Sequence, residues 1–216
     1  MFIEQPPIWL RWIYPDALWR VNKYERAVYL TFDDGPIPII TPKVLDILDH
    51  YKVKATFFMV GENVIKHPDE FLMVKQAGHR IGNHTYNHIG GMLHGVRSYL
   101  NNVEKASELL HTDLVRPPYG WMKWEQYLFL RHRYQLVMWD VVTRDYSNRL
   151  NAQQVLFNVK RYTRPGSIIT FHDSIKSEDK LWYVLPRSIE WLHSQGYVLR
   201  TLPICHPRLL REFGEM

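Results

Sequence analysis

Apolar residues along the chain repeat with two different periods. Short β-branched and aromatic runs at 27–32, 54–60, 135–139, 167–171 and 197–201 read as buried strands, with two shorter ones at 80–83 and just before Arg116. Between them, apolar residues recur at helical spacing. The predicted helices cover 41–51, with Thr41 as N-cap and Pro42 as the first helical residue, and 68–76, stopped by Gly78. Others cover 95–111, 123–133, 152–162 and 183–194, the last capped by Gly196. About seven strands alternating with helices predict a parallel sheet with right-handed crossovers, an α/β fold. No glycine-rich turn follows the first strand, and polar residues gather at the ends of at least five strands. Both facts favour a closed or nearly closed barrel over an open doubly wound sheet.

Residues 1–25 break the pattern. Ile8, Trp9, Leu10, Trp12, Ile13, Tyr14, Leu18 and Trp19 are interrupted by Pro6, Pro7 and Pro15. The plain expectation is an extension packed over a single domain spanning 26–216. The sharper one is a peripheral membrane anchor, with tryptophans at a headgroup boundary beside Arg11 and Arg20.

Composition narrows the classes of function. A formal charge of +5 is spread along the chain without a basic stripe, so no nucleic acid partner is expected, while a polyanionic cell envelope is compatible. The single cysteine, Cys205, excludes an internal disulfide and a cysteine metal cluster and reads as a small buried hydrophobe. No apolar stretch is long enough to span a bilayer, and the first residues lack the pattern of a signal peptide. The expectation is a cytoplasmic chain, or one whose targeting segment lies outside this sequence, with envelope association as the alternative.

The chemistry starts at Asp33 and Asp34, where the first strand stops and Gly35-Pro36 forces a turn. Adjacent strand residues normally diverge, so an immediate turn is needed to bring both carboxylates into one pocket. Taken alone, an Asp-Gly turn explains the pair as well. His84 and His88, four apart, face one way if the chain turns helically there, a spacing that suits a divalent metal. A strand-end carboxylate would complete a two-His, one-Asp face and leave the other aspartate to act as base on the bound water. Arg116, stiffened by Pro117 and Pro118, can steer a carboxylate, with a backbone N–H presented at Tyr119; otherwise it lies on a surface loop. His172 ends an apolar strand beside Asp173 and is either a general acid or a buried, satisfied histidine.

Thr31–Pro36, His84–His88, Arg116–Gly120, the Asp145-Tyr146 region and Ile168–His172 resemble, in order, the five motifs of the polysaccharide deacetylases. This is the NodB-like carbohydrate esterase family 4, and the resemblance covers about residues 26–203. It implies a deformed (β/α)7 barrel that hydrolyses acetyl groups from chitin oligomers, peptidoglycan or xylan. It implies that Asp34, His84 and His88 hold one divalent ion, zinc first, with cobalt or nickel also fitting. Asp33 is then the base, oriented by Arg116. Asp145 tunes His172, which protonates the leaving amine, and the Tyr119 N–H faces the oxyanion. Two positions depart from the family pattern: Tyr146 replaces the usual tryptophan and Thr170 the usual aliphatic residue. Both belong to the acyl pocket by resemblance, so a more polar pocket is expected there. The expected partner is an acetylated amino-sugar oligomer or polymer. The rivals are a deformylase or deacylase of a lipid-linked sugar and a carbohydrate-binding relative without turnover.

Overall fold

The computed structural model describes residues 4–203, and Cys205 lies outside them. Strand β1 (Ala27–Asp33) is buried along its whole length. It runs parallel to β2 (Thr56–Met59) and to β7 (Ile168–His172), and its first residues also pair with β8 (Val198–Leu199). From β2 the sheet continues through β3 (Arg80–Asn83) and β4 (Leu114–Val115) to β5 (Gln135–Leu136). From β7 it continues to β6 (Val141–Val142). A single pass of chain, residues 135–142, therefore joins the two ends of the strand order and closes the deformed (β/α)7 barrel.

The strand predicted at 135–139 is broken by this passage. Asp140 does not reach the site: it is buried, accepting hydrogen bonds from Arg11, Arg164 and Ser167. After the short α1 (Ile8–Arg11), helix α2 (Ile40–His50) starts one residue before the predicted cap. The Thr41 hydroxyl instead accepts from the Ile37 N–H and donates to Asp173, so Thr41 is not the cap and Pro42 is not the first helical residue. Helix α3 (Gly61–Lys66) is too short to show a period in sequence. Helices α4 (Pro68–Gln76), α5 (Val96–Leu110), α6 (Trp124–Arg133) and α7 (Ala152–Tyr162) lie where the periodicity puts them. Helix α8 (Glu178–Ser194) begins earlier than predicted, with Glu178 and Asp179 in its first turn, where carboxylates suit the helix dipole.

Strand alternation sorts the core into two layers. Val28, Leu30 and Phe32 of β1, Phe57 and Met59 of β2 and Ile169 and Phe171 of β7 face the helices. Ala27, Tyr29, Phe58, Leu114, Val137 and Ile168 fill the lower barrel interior. The same alternation turns Thr31 and Asp33 inward above that plug. The β1–β7 register sets Thr31 beside Thr170 and Asp33 beside His172.

The N-terminal segment runs across the seam between β5 and β7. Leu18 bridges Val137, and Arg20 bridges Ser167. Leu10, Tyr14, Ala17 and Trp19 are buried in a cluster with Tyr99, Val103, Met122 and Tyr127. Its polar anchors are Asp16, bound to Arg131 and Tyr127 at 2.6 and 2.9 Å, and Tyr14. No helix among the described residues is long and apolar enough to cross a membrane. The buried Tyr14 hydroxyl donates to the Met122 carbonyl at 2.6 Å and accepts from the Met122 N–H at 3.0 Å. Tyr14→Phe strands both groups without a partner. It is expected to cost about 1–3 kcal/mol, read as a lower urea midpoint at unchanged slope.

Candidate active site

The site lies at the C-terminal ends of the strands, in a cleft of about 730 Å³ lined by Asp33, Asp34, His84, His88, Tyr146 and His172 among others. Its foundation is Arg116, delivered by β4 into the barrel interior. The guanidinium is fully buried and lies 4.1 Å over the Phe58 ring. It donates to Asp33 Oδ1 at 2.6 Å, Thr31 Oγ1 at 2.8 Å and the Met138 carbonyl at 2.9 Å. Burial alone would favour losing the proton and the Asp33 carboxylate opposes it; a guanidinium keeps its charge in any case. Asp33 is thereby held on one oxygen.

Asp34 follows with φ of 83°, and this left-handed residue swings its carboxylate back toward the pocket. The turn is held from beneath by Asp173, whose carboxylate accepts from the Gly35 N–H at 3.1 Å and from Thr41 Oγ1 at 2.6 Å. A side chain at Gly35 would collide with that carboxylate, within 2.1 Å of Oδ2. Burial pushes the Asp173 carboxyl up to about 8 against these two donors. Asn63 adds a hydrogen bond to the Asp34 carbonyl at 2.8 Å. Asp173, Asn63 and Thr31 had no role assigned from the sequence. Asp173 follows His172 on one strand end and so points to the other side, which is a readable signal only once the partner turn is known.

His84 and His88 converge, but not through a helical turn. Thr85 and His88 take φ of 65° and 55° in a loop between β3 and α5. The loop is stitched by Asn83 Oδ1 to the Thr85 N–H, Asn102 Oδ1 to the Tyr86 N–H, and Thr85 Oγ1 to the Ile89 N–H. His84 Nδ1 lies 2.8 Å from the Arg116 carbonyl, which can only accept, so Nδ1 carries the hydrogen and the Nε2 lone pair faces Asp34. Burial lowers the His84 imidazole to about 4, which leaves it neutral at pH 7. Burial would raise Asp34, but the bond to His88 and the charge of His172 outweigh it and hold the carboxyl well below its usual range. Nε2 of His88 and of His84 lie 3.2 and 3.7 Å from Asp34 Oδ1. One donor atom from each residue lies within 4.8 Å of the others. Two imidazoles and a carboxylate on one face form a donor set that fits a divalent transition metal.

The second dyad comes from β7 and the loop after β6. Asp145 accepts from His172 Nδ1 and from the His172 backbone N–H, both at 2.8 Å. Burial works against the charged imidazole, but the Asp145 carboxylate, helped by Asp34 and Asp33, raises it to about 9. His172 Nε2 is left for the cleft. Tyr146 stands edge-on to the His172 ring at 4.7 Å. The Thr170 hydroxyl lies 3.2 Å from Thr31 Oγ1, so it is engaged inside the barrel and adds less polarity to the pocket than expected. Tyr119, with φ of 62°, borders the cleft and meets the His88 ring edge-on at 5.1 Å.

This geometry has relatives. The family model described as "Polysaccharide deacetylase" matches residues 20–128. The chain belongs to the polysaccharide deacetylase family. A peptidoglycan-N-acetylglucosamine deacetylase of Bacillus cereus is 35% identical over 89% of this chain and 73% of its own. A chitooligosaccharide deacetylase of Sinorhizobium fredii is 33% identical over 83% of this chain and 92% of its own. Among solved structures, a peptidoglycan N-acetylglucosamine deacetylase in complex with an N-hydroxybenzamide compound superposes with a TM-score of 0.84. That structure is 33% identical and covers 89% of this chain and 94% of its own.

If Asp34, His84 and His88 hold the ion, His84→Ala loses most of it by elemental analysis of the purified protein; full occupancy in that variant refutes the assignment. Coordination needs unprotonated imidazoles and an ionised carboxylate, so occupancy in the parent falls on acidification and returns on neutralisation.

Proposed function

We propose that this family member hydrolyses the N-acetyl group of an amino-sugar polymer or oligomer of the peptidoglycan or chitin type. The observation that carries the reading is that two oriented pairs, Arg116–Asp33 and Asp145–His172, open into the same cleft as an Asp-His-His donor set. A divalent ion held by Asp34, His84 and His88 supplies Lewis-acid polarisation of the amide carbonyl and acidifies water.

The protein's own groups handle the protons. Arg116 fixes Asp33 on Oδ1, leaving Oδ2 to take a proton from the attacking water. As water adds to the carbonyl carbon, charge develops on the oxygen, and the Tyr119 N–H is the backbone donor assigned to meet it. Collapse breaks the carbon–nitrogen bond. His172, held in one tautomer by Asp145 and protonated at neutral pH, gives its Nε2 proton to the leaving nitrogen. The products are acetate and a free amine on the sugar.

The deciding experiment measures free-amine release from peptidoglycan, from chitin oligomers and from an N-acylated lipid-linked sugar. Release from the lipid-linked sugar alone favours the deacylase rival, and no release from any substrate favours a binding protein without turnover. Asp33→Asn is expected to keep its metal and lose activity by about 10²–10⁴-fold, because the donor set is untouched while the base is gone. His172→Ala is expected to fall by a similar factor. Near-parent turnover in either variant removes the role given to that residue.

A further inference from the structure

The N-terminal segment lies outside the matched family region, which starts at residue 20, yet Pro6, Trp9 and Leu10 line the same cleft as the acid–base pairs. Its position there is built. The Glu4 carbonyl accepts from the Val142 N–H at 2.8 Å, and the Glu4 carboxylate pairs with Arg144. Arg11 pairs with the buried Asp140, and Tyr14 closes on Met122. These contacts tie the segment both to the chain leading to Asp145 and to the chain following Tyr119. Leu10 is buried beneath, while Trp9 keeps 48% of its surface exposed at the cleft. Trp121 and Tyr119, also on the cleft wall, are 42% and 65% exposed.

We propose that Trp9 is a substrate-binding residue that stacks against a pyranose ring neighbouring the acetamido sugar under attack, so that the N-terminal segment sets a preference for oligomers. The inference rests on the reading of the substrate as an amino-sugar oligomer. A pyranose presents a face of C–H groups ringed by hydroxyls, which an indole covers with its apolar face while its N–H and the rim stay wet. The cleft is larger than one acetamido group needs, and its lining includes Trp9, Tyr119, Trp121 and Trp139. Trp12, on the same segment but 70% exposed and not on the cleft, provides the internal control.

The test is calorimetric titration of the full chain with the N-acetylglucosamine tetramer, in the Asp33→Asn background so that nothing turns over. Trp9→Ala is expected to weaken binding about 10-fold. Trp9→Phe should stay close to the parent, Trp9→Leu should resemble Trp9→Ala, and Trp12→Ala should change nothing. With active protein, Trp9→Ala should raise KM for the tetramer while kcat holds. Parent-like binding in Trp9→Ala, or equal binding in the Phe and Leu variants, overturns the proposal. So does unchanged tetramer binding with loss of co-sedimentation on phosphatidylglycerol vesicles in Trp9→Ala and Trp12→Ala, which would make the segment a membrane anchor. If the parent binds the tetramer in a Trp9-dependent way but releases no amine, the proposed reaction fails and this site stands. A parent that binds no tetramer at all overturns both.

Discussion

The buried ion pair between Arg116 and Asp33 is the constraint on which the rest of the structure depends. A guanidinium withdrawn from water is tolerated only when its donors are met, and here they are met by Asp33, Thr31 and the Met138 carbonyl. Those partners come from β1 and from the chain leaving β5, while Arg116 itself comes from β4. Satisfying one side chain thus fixes three walls of the barrel relative to one another. It also fixes which oxygen of Asp33 is taken and which is free. The Arg116 carbonyl then sets the tautomer of His84, so a single residue orients groups in both halves of the site.

The site carries much backbone strain. Asp34, Thr85, His88, Tyr119 and Arg144 all have positive φ without being glycine, and each lies in or next to a residue of the site. Such conformations cost about 1–3 kcal/mol each and persist only where the surroundings over-determine them. The surroundings are visible: Asp173 and Asn63 under the aspartate turn, Asn83 and Asn102 under the histidine loop, and Lys180 Nζ on the Asp145 carbonyl at 2.9 Å. A regular strand end could not aim two adjacent carboxylates into one cleft, and the left-handed residue at Asp34 is what does it.

The N-terminal segment shows how the barrel handles its imperfect seam. Where β5 gives way to β6, Asp140 is turned away from the site, and Arg11 and Arg164 neutralise it. The same segment that covers this passage brings Trp9 to the cleft. Cover and cleft wall are one piece of chain because the seam runs directly below the loop that carries Asp145.

The α/β alternation, most helices and the five motifs were legible in sequence, because period and turn chemistry are local properties. Asp33, Asp34, His84, His88, Arg116 and His172 could be named for the same reason, each at a punctuation point of the pattern, whereas Asp145 came only from the family resemblance. What the pattern could not supply was direction. The histidine pair would face one way on a helical turn and is held on a left-handed loop instead; Thr41 was expected to cap a helix and instead carries Asp173; Thr170 was expected to polarise the pocket and is bonded to Thr31. In each case the deciding partner lies far along the chain, at Asn102, Asp173 and Thr31 respectively. Local sequence determines where a polar group stands on its element. Only the closed barrel, by choosing register and packing distant strands against one another, decides which buried donor each group must answer and so where it points.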